Sequence, residues 1–331
     1  MKGTGSFQAS LGLEGVGQAH LSVAHALAGR LLSDVPALLI AAAPTRRYDQ
    51  FMVANAPTRS SRLDELRTHV SGLSSVLVCF SAGIDSTLVL AVASEQLKER
   101  AVGFTAVSPS LPAGELEAAR QIASQLGTVV HFVESHELDR PGYASNGSDR
   151  CFHCKSELYE LAESCRTKLG LDWIVNGTNV DDLGDYRPGL DAAKKAGVRS
   201  PLLELGFSKS DTRAAALDLG LQLWDKPAAA CLSSRIPYGV PITPDRLTQV
   251  ERLESKLKAL GFRQVRVRWH GEIARIEVEV GELSRAIQPD NREDILKAGK
   301  DCGFQFITID LAGYRTGSLN ELLSGRSLKL V

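Results

Sequence analysis

The stretch VLVCFSAGIDSTLVLAVASEQLK, residues 76–98, decides the fold of this chain. Its apolar start, Val76 to Phe80, predicts a buried strand, and the pattern that follows Asp85-Ser86 predicts a helix. The two are joined by a short Ser/Gly turn. A strand that enters a helix through such a turn presents free backbone N–H groups at the positive end of the helix dipole. The stretch therefore predicts an anion-binding site.

Four residues of this turn are candidate ligands for a phosphate-bearing molecule. Ser81 and Ser86 offer hydroxyl groups, Gly83 allows a close approach of the backbone, and Asp85 can hold a metal ion or orient the loop. The chain has no G-x-x-x-x-G-K-[ST], so the turn is not the phosphate loop of ordinary NTPases. An ordinary strand–turn–helix is the competing interpretation. The buried strand, the Asp-Ser ending and the helix together favour the phosphate site.

Length and composition bound the class of protein. The 331 residues are enough for two domains with substantial cores. A net charge of −1 gives no reason to expect a nucleic-acid or membrane partner, and no apolar run reaches the roughly 20 residues that span a bilayer. Six cysteines in a chain of this size do not form a disulfide framework. We expect a soluble, cytoplasmic enzyme.

The first 55 residues differ from the rest of the chain. They are rich in Ala, Leu, Ser and Gly, and they contain three acidic residues, Glu14, Asp34 and Asp49. The second of the two methionines, Met52, stands just before the globular pattern begins. We predict that residues 1–55 are a dispensable, disordered extension and that translation starts at Met52. Insoluble or inactive protein expressed from Met52 would refute this hypothesis.

From Leu73 onward strand and helix patterns alternate. The predicted strands are Val76–Phe80, Ala101–Val107, Val129–Val133 and Asp172–Asn176, and the predicted helices between them are Ser86–Lys98, Ala113–Leu126 and Cys154–Leu169. This order predicts an α/β fold with a parallel, Rossmann-like sheet over residues 56–237 and ligands at the carboxyl ends of its strands. Gly177 and Asp181 follow the last of these strands and become candidate ligands.

Residues 238–331 are predicted to form a second, smaller α+β domain. Its predicted elements are the helix Leu247–Leu260 and the strands Gln264–Trp269, Ala274–Val280 and Phe304–Asp310. Arg266 and Arg268 alternate with valines, so both face one side of a strand. Two guanidinium groups on one face suit the phosphate of a nucleotide substrate. A solvated polar strand face is the competing interpretation. His270, after this strand, is either a substrate contact or a surface turn residue.

A second constellation consists of cysteines. Cys151 and Cys154 open a predicted helix, and Cys231 lies in ACLSSR. The positive end of the helix and the adjacent Lys155 favour thiolates. The C-x-x-C spacing leaves three interpretations open. A structural zinc site needs a further ligand such as His153 or His136, and a redox dithiol is the second interpretation. The third is an iron–sulfur cluster on the three cysteines, with one open iron that could carry a sulfide.

Six segments of the sequence together resemble one enzyme family. The turn FSAGIDS (80–86) resembles the PP-loop of ATP pyrophosphatases, with Ala82 where glycine is usual. The whole chain from about residue 60 resembles the LarE-type ATP-dependent sulfur transferases. The other matching segments are DRCFHCK (149–155), NGTNVDDLGDYRPG (176–189), ACLSSRIPYG (230–239), RVRWHGEIARIEV (266–278) and ITIDLAGYRTGSLN (307–320).

The resemblance implies a function. The family adenylates a carboxylate of pyridinium-3,5-biscarboxylic acid mononucleotide with ATP and Mg²⁺ and installs sulfur, in making the nickel-pincer nucleotide cofactor of lactate racemase. Some members sacrifice the sulfur of the cysteine that corresponds to Cys231. Others carry cysteines at the positions of Cys151, Cys154 and Cys231 and use a [4Fe-4S] cluster. Because this chain has all three, the resemblance favours the cluster-type mechanism.

The resemblance also suggests roles for charged residues. Arg187 and Arg235 would neutralise phosphate or adenylate charge, and Glu254 and Glu277 match positions that bind a divalent metal at a subunit junction. A homo-oligomer is a further expectation. Two alternatives stay open: a tRNA-thiolating or amidating PP-loop enzyme, and a non-catalytic protein that binds ATP or a cluster. The first would need a basic surface, which a pI near 6.7 does not indicate.

Overall fold

The computed structural model of the chain describes residues 59–184, 188–223 and 230–315. The helices are α1 Arg59–Ser71, α2 Ile84–Leu97, α3 Ala113–Leu126, α4 Pro141–Ala144, α5 Arg150–Leu169, α6 Pro188–Lys195, α7 Pro201–Glu204, α8 Lys209–Asp218, α9 Pro244–Ala259, α10 Leu283–Ala286 and α11 Pro289–Asp301. The strands are β1 Val76–Cys79, β2 Ala101–Val107, β3 Val130–Glu134, β4 Trp173–Val175, β5 Val265–His270, β6 Ile273–Val278 and β7 Phe306–Ile309.

Four strands form the predicted parallel sheet. Their order is β3-β2-β1-β4, and Val78 in β1 lies opposite Gly103 in β2 and Val175 in β4. The predicted fold class is confirmed, with a separate small sheet of order β5-β6-β7 after it. In that sheet β5 and β6 are antiparallel and β6 and β7 are parallel. The exact domain boundaries stay predictions, and residues 1–55 lie outside the described part of the chain.

Helices cover both faces of the parallel sheet, as the apolar run of β1 requires. Val76, Val78 and Phe80 pack into one buried cluster with apolar residues of α1, α2 and α8. Leu77, which points the other way, packs with Ala162 of α5. Burial of each large side chain of this kind stabilises the fold by about 1.5–3 kcal/mol. The strand is thereby fixed, and the turn that follows it is held at the carboxyl edge of the sheet.

The small sheet has a core of its own. Leu247, Val250, Leu253 and Leu257 of α9 pack with alternating residues of β5 and β6. Leu232 and Ile236, which follow Cys231, belong to this same cluster. The segment that follows Cys231 therefore packs on the second core. It is also bonded to the first sheet's side of the protein, because the backbone N–H of Leu232 donates to the carbonyl of Ser110, after β2. No helix among the described residues is both long and apolar enough to cross a bilayer.

Most differences from the predicted elements are at their ends. The helix predicted from Cys154 begins at Arg150, so it holds Cys151 as well as Cys154. The last predicted strand of the parallel sheet is shorter, Trp173–Val175. Helices α6, α7 and α8 follow it and were not predicted, because Gly, Pro and polar residues interrupt their short periodic patterns.

Candidate active site

The phosphate turn, residues 81–86, is held together by its own hydroxyl groups. Ser86 Oγ accepts from the backbone N–H of Ser81 at 3.1 Å and donates to the Gly83 carbonyl at 3.1 Å. The two serine Oγ atoms are also 3.1 Å apart. Gly83 is the N-cap residue of α2. Because glycine has no side chain, it offers no side-chain acceptor to the first backbone N–H groups of the helix. This arrangement suits an anion.

Ala82 is the residue of this turn whose backbone conformation is strained. Its φ is +56°, the left-handed region, and its side chain is fully buried. Glycine adopts this region freely, whereas a β-carbon there costs about 1–2 kcal/mol. Alanine at this position therefore keeps the left-handed turn and stores modest strain. Gly83, by contrast, has an ordinary φ of −78°.

Asp85 lies at the edge where two loops meet. Its Oδ1 accepts from Asn179 Nδ2 at 2.8 Å. Burial, with a contribution from nearby Asp182, raises the pKa of the Asp85 carboxyl above its ordinary value, while Asn179 and Lys209 oppose that rise. A divalent cation would relieve the cost of two desolvated carboxylates. Mg²⁺ is usually held by one or two carboxylates and the phosphates of the substrate, so Asp85 and Asp182 suit it.

Gly177 brings the second loop against the phosphate turn. A β-carbon at this position would lie 2.6 Å from the backbone nitrogen of Ser86 and 2.8 Å from the Asp85 carbonyl carbon. No side chain fits there without moving the start of α2. Gly177 therefore has a packing role that holds β4 against the N-terminus of α2. Its predicted contact with nucleotide stays a prediction.

Asp181 contributes a cap to α8, a helix that the sequence analysis did not predict. Its Oδ2 accepts from the backbone N–H of Lys209, the first residue of α8, at 2.5 Å. Lys209 Nζ lies 3.7 Å from Asp182 Oδ1. The two loops and α8 thus bring one ammonium and three carboxylates to the same edge of the sheet. Lys209 is a functional candidate that the sequence reasoning missed.

The three predicted cysteines belong to one neighbourhood at the carboxyl side of the sheet. Cys151 and Cys154 lie in the first turn of α5, and Cys231 precedes the short 3-10 helix Leu232–Arg235. None of the three is in a disulfide. Burial and the negative charge of the nearby Glu137 carboxylate raise the pKa of Cys154 well above its ordinary value. The expectation that the helix end favours a thiolate is wrong for Cys154, because burial and a neighbouring carboxylate outweigh the helix dipole.

Two cations accompany these sulfurs. Burial lowers the pKa of Arg150, but Cys231 and Cys151 raise it and the net direction is upward. Desolvation likewise acts downward on the pKa of Lys155, and the sulfur of Cys154 leads the groups that raise it above its ordinary value. Both side chains stay cationic. They are placed to offset negative charge that develops at sulfur.

The donor set fits an iron–sulfur cluster by its chemistry, since three free thiols and two cations suit an anionic cluster. If one were bound, Cys151, Cys154 and Cys231 would hold it. Among the described residues, however, no three His, Cys, Asp or Glu side chains are grouped to hold a single metal ion. The predicted zinc candidates fare no better. His153 pairs with Asp149 at 3.2 Å, whereas the bond from His136 to Glu157 comes from its backbone N–H and does not involve the imidazole, so zinc binding by these residues stays a prediction.

Arg235 is directed into the protein. Its guanidinium makes two bonds of 2.8 Å to Glu254 and donates through Nη1 to the carbonyls of Ala230 and Cys231, at 2.7 and 2.9 Å. The side chain is 2% exposed. Arg235 therefore ties the residue that carries the key sulfur to α9. These bonds direct the guanidinium to Glu254 and to the two carbonyls, and the predicted contact of Arg235 with phosphate stays a prediction.

Arg268 and Glu277 form a second buried pair. Their two bonds are 2.9 and 2.7 Å long, and Arg268 Nη1 also donates to the Ser234 carbonyl at 2.8 Å. Arg266 stacks over Tyr314 at 5.3 Å, and burial together with nearby Arg235 lowers its pKa. Both strand arginines are 6% exposed, so the interpretation as a solvated face is wrong.

Several predicted roles stay predictions. Glu254 and Glu277 are engaged by arginines in this structure, and their metal binding is untested. Arg187 lies outside the described residues. His270 ends β5 on the exposed surface. Asn179 and Lys209 were missed, although the capping box of Ser208 and Asp211 marks the start of α8 in the sequence. Glu137 carried no signal of its own.

The parallel sheet and the turn at residues 81–86 define a class of protein: an α/β enzyme that binds a nucleotide phosphate through a PP-loop. Residues 63–140, which contain the turn, match the asparagine synthase family model. A probable tRNA sulfurtransferase of Methanobrevibacter smithii is 26% identical over 117 residues, which are 34% of this chain and 29% of that protein.

Two relatives match over about four fifths of the chain. An uncharacterised protein of Synechocystis sp. is 43% identical over 264 residues, 80% of this chain and 98% of that protein. The pyridinium-3,5-bisthiocarboxylic acid mononucleotide synthase of Lactiplantibacillus plantarum is 35% identical over 272 residues, 82% of this chain and 98% of that enzyme. The chain belongs to this family, the LarE-type ATP-dependent sulfur transferases, and is an ATP-dependent sulfur-transferring enzyme.

Proposed function

We propose that this enzyme converts a carboxylate of pyridinium-3,5-biscarboxylic acid mononucleotide to a thiocarboxylate, in the biosynthesis of the nickel-pincer nucleotide. The observation that carries the proposal is that a phosphate turn follows β1 and that the Cys231 turn is hydrogen-bonded to Ser110, just after the neighbouring strand β2, in a chain that covers 98% of the named synthase. One turn activates a carboxylate and the other supplies sulfur. Neither alone would complete the reaction.

The first half-reaction is adenylation. A carboxylate is a poor electrophile because its oxygen is a bad leaving group. The substrate carboxylate oxygen attacks the α-phosphorus of ATP, the bond from that phosphorus to the bridging oxygen breaks, and pyrophosphate leaves. The N–H groups at the start of α2 and the hydroxyls of Ser81 and Ser86 suit the pyrophosphate. Asp85 and Asp182 suit the accompanying Mg²⁺, and Lys209 adds a positive charge beside them.

The second half-reaction is sulfur transfer. A sulfur nucleophile attacks the acyl carbon, and AMP leaves with the electron pair of the broken bond. No oxidant or reductant is needed when the nucleophile is a sulfide. Arg150 and Lys155 stabilise the negative charge on sulfur and on the departing phosphate. Arg266 and Arg268 stay the predicted contacts of the substrate phosphate, and both are buried in the second sheet.

For the sulfur source we favour a [4Fe-4S] cluster, which Cys151, Cys154 and Cys231 would hold and which would supply sulfide. The presence of all three free thiols supports this source. The alternative is sacrifice of Cys231: its thiolate forms a thioester with release of AMP, loss of the Cys231 Cα proton breaks the Cβ–S bond, and dehydroalanine remains. Both routes deliver the same product. They differ in what becomes of Cys231.

A tRNA-thiolating function is the second candidate, since one relative is a probable tRNA sulfurtransferase. That match covers 34% of this chain, whereas the mononucleotide synthase covers 82% of it. The net charge of −1 adds nothing in favour of a nucleic-acid substrate. The small nucleotide is therefore the better-supported substrate.

The proposal is tested by incubating the purified full chain with ATP, Mg²⁺ and the dicarboxylic mononucleotide without oxygen. Pyrophosphate release that requires the mononucleotide, together with a thiocarboxylate product seen by mass spectrometry, is the expected result. Unmodified tRNA replaces the mononucleotide in a parallel reaction. Pyrophosphate release with tRNA alone, or none with either acceptor, would overturn the proposed substrate.

A further inference from the structure

A buried carboxylate beside the cysteines has no part in the chemistry described so far. Glu137 lies in the 3-10 helix Glu137–Asp139 after β3 and is 3% exposed. Its Oε1 accepts from the hydroxyl of Ser108 at 2.8 Å and from the hydroxyl of Ser110. Its carboxylate also faces the thiol of Cys154, a neutral donor whose pKa the carboxylate raises. These three donors are neutral groups, and they come from two separate segments.

Ser110 connects Glu137 to the other cysteine. The Ser110 carbonyl accepts from the backbone N–H of Leu232, the residue after Cys231, at 2.8 Å. Ser108 Oγ stiffens the same turn, since it lies 2.9 Å from Ser110 Oγ and accepts from the Ser110 N–H at 3.2 Å. One carboxylate therefore faces Cys154 and reaches the Cys231 turn through a single residue, Ser110.

The Cys231 turn has further supports from α4 and α5. Ser233 Oγ and the hydroxyl of buried Tyr143 are 2.5 Å apart, and Arg150 Nη1 donates to the Ser233 carbonyl at 3.0 Å. These bonds hold the end of the turn, whereas Ser110 holds its start. Glu137 differs from these supports because it lies beside Cys154 and is also bonded to Ser110.

We propose that Glu137 is a positioning residue for sulfur transfer, which holds Cys154 and the Cys231 turn in register through Ser110. The inference rests on the proposed function. A carboxylate offers acceptor oxygens only, which matches three converging donors. An amide in its place would turn its NH₂ group toward at least one donor. A displacement of about 1 Å at reacting groups lowers rates about a hundredfold, so a small loss of register matters.

The test compares Glu137→Gln with Glu157→Gln in the full chain. Glu157 is a control of similar burial that accepts from Ser135 Oγ at 3.0 Å and the His136 N–H at 2.6 Å. It differs in that it also pairs with Arg140 at 2.9 Å, and its hydrogen bonds and ion pair among the described residues involve no cysteine. Sulfur transferred per pyrophosphate released is measured in both. We expect Glu137→Gln to lower this ratio by about tenfold or more, with pyrophosphate release changed less than about twofold. Glu157→Gln should leave the ratio unchanged.

A second readout does not depend on activity. Metal-free protein is treated with a short bis-alkylating thiol reagent, and the Cys154–Cys231 crosslink is quantified by peptide mass spectrometry. The wild type and Glu157→Gln should form the crosslink, and Glu137→Gln should form clearly less. Ser110→Ala removes one of the three donors and keeps the carbonyl to Leu232. It should give an intermediate yield, and it replaces Glu137→Gln if that variant does not fold.

The two proposals fail in different ways. A wild type that releases no pyrophosphate with the mononucleotide contradicts the proposed function, while the crosslink still reports on Glu137. An unchanged transfer ratio together with an unchanged crosslink in Glu137→Gln overturns the positioning role. So does a wild type in which Cys154 and Cys231 form no crosslink, or an equal loss in Glu137→Gln and Glu157→Gln.

Discussion

The phosphate turn and the Cys231 turn lie in the same enzyme but are held in different ways. Ser81, Gly83 and Ser86 bond to one another within six residues of sequence. The turn after Cys231 is held instead by residues far along the chain, through Ser110, Arg150 and Arg268. The first turn therefore needs little more than its own strand and helix. The second needs both sheets in place.

This difference has a functional consequence. Adenylation should tolerate changes in the second sheet, whereas sulfur transfer should be sensitive to them. Arg235 and Arg268 connect the carbonyls of Cys231 and Ser234 to Glu254 and Glu277 in that sheet and its helix. The two half-reactions should accordingly be separable by mutation.

The largest expected effect separates the half-reactions completely. Cys231→Ala should abolish sulfur transfer and leave mononucleotide-dependent pyrophosphate release intact, because the thiol takes no part in adenylation. Pyrophosphate and thiocarboxylate are measured in the same reaction. Any thiocarboxylate formed by this variant would contradict the assignment of Cys231 to the sulfur site.

The opposite separation should follow from Asp85→Asn. Pyrophosphate release should fall by about a hundredfold or more, because a bound metal contributes several kcal/mol of charge stabilisation. Stability should not fall, since burial raises the pKa of Asp85 and its ionised form is therefore costly at neutral pH. Pyrophosphate release and urea unfolding are measured. A clear loss of stability with unchanged release would assign Asp85 a structural role instead.

A third prediction concerns the link between the sheets. Glu254→Ala should lower the free energy of unfolding by about 3–5 kcal/mol, because it leaves the Arg235 charge buried and unpaired. Sulfur transferred per pyrophosphate should fall as well, since Arg235 holds the Cys231 carbonyl. Urea unfolding gives the first quantity.

The control for Glu254→Ala is an exposed pair that joins the same helix, α9, to α11. Asp301→Ala removes the partner of Lys256, 2.9 Å away, and should change stability little because solvent and salt screen that pair. Equal losses of unfolding free energy in the two variants would show that the buried Arg235–Glu254 pair stabilises the protein no more than the exposed pair does. A loss of stability without a change in the transfer ratio would contradict its effect on Cys231.

The smallest expected effect lies in the phosphate turn. Ala82→Gly should raise the free energy of unfolding by about 1 kcal/mol, since it removes a β-carbon from a left-handed position. Thermal and urea unfolding measure it, and sulfur transfer per pyrophosphate should not change. A destabilised variant would mean that packing of the Ala82 methyl group outweighs its backbone strain.

The same contrast explains what the sequence could predict. The strand, turn and helix around Ser81–Ser86 are contiguous, so their pattern and chemistry are legible in one stretch. The cysteines were found from residue type and spacing, but the surroundings of Cys154 were not. Glu137 is 17 residues away in the sequence, and no local pattern indicates that its carboxylate reaches the thiol. The pKa of Cys154 was therefore predicted in the wrong direction.

The arginines teach a similar lesson. Alternation correctly placed Arg266 and Arg268 on one face of β5, because period-two patterns are local. The pattern does not reveal partners, and Glu277 reaches Arg268 only through pairing of β5 with β6. Arginines whose spacing suggests a ligand site can therefore be bonded instead to other residues of the protein, as Arg268 is to Glu277.

The most direct test of the account is the iron and acid-labile sulfide content of protein purified without oxygen, for the wild type and Cys151→Ala. We predict about four irons and four or more acid-labile sulfides per chain in the wild type, and more than one sulfur transferred per chain when inorganic sulfide is added. Cys151→Ala should lose both the cluster and this repeated transfer. Iron-free wild-type protein that transfers one sulfur and leaves dehydroalanine at position 231 would contradict the cluster as sulfur source. It would make Cys231 itself the donor.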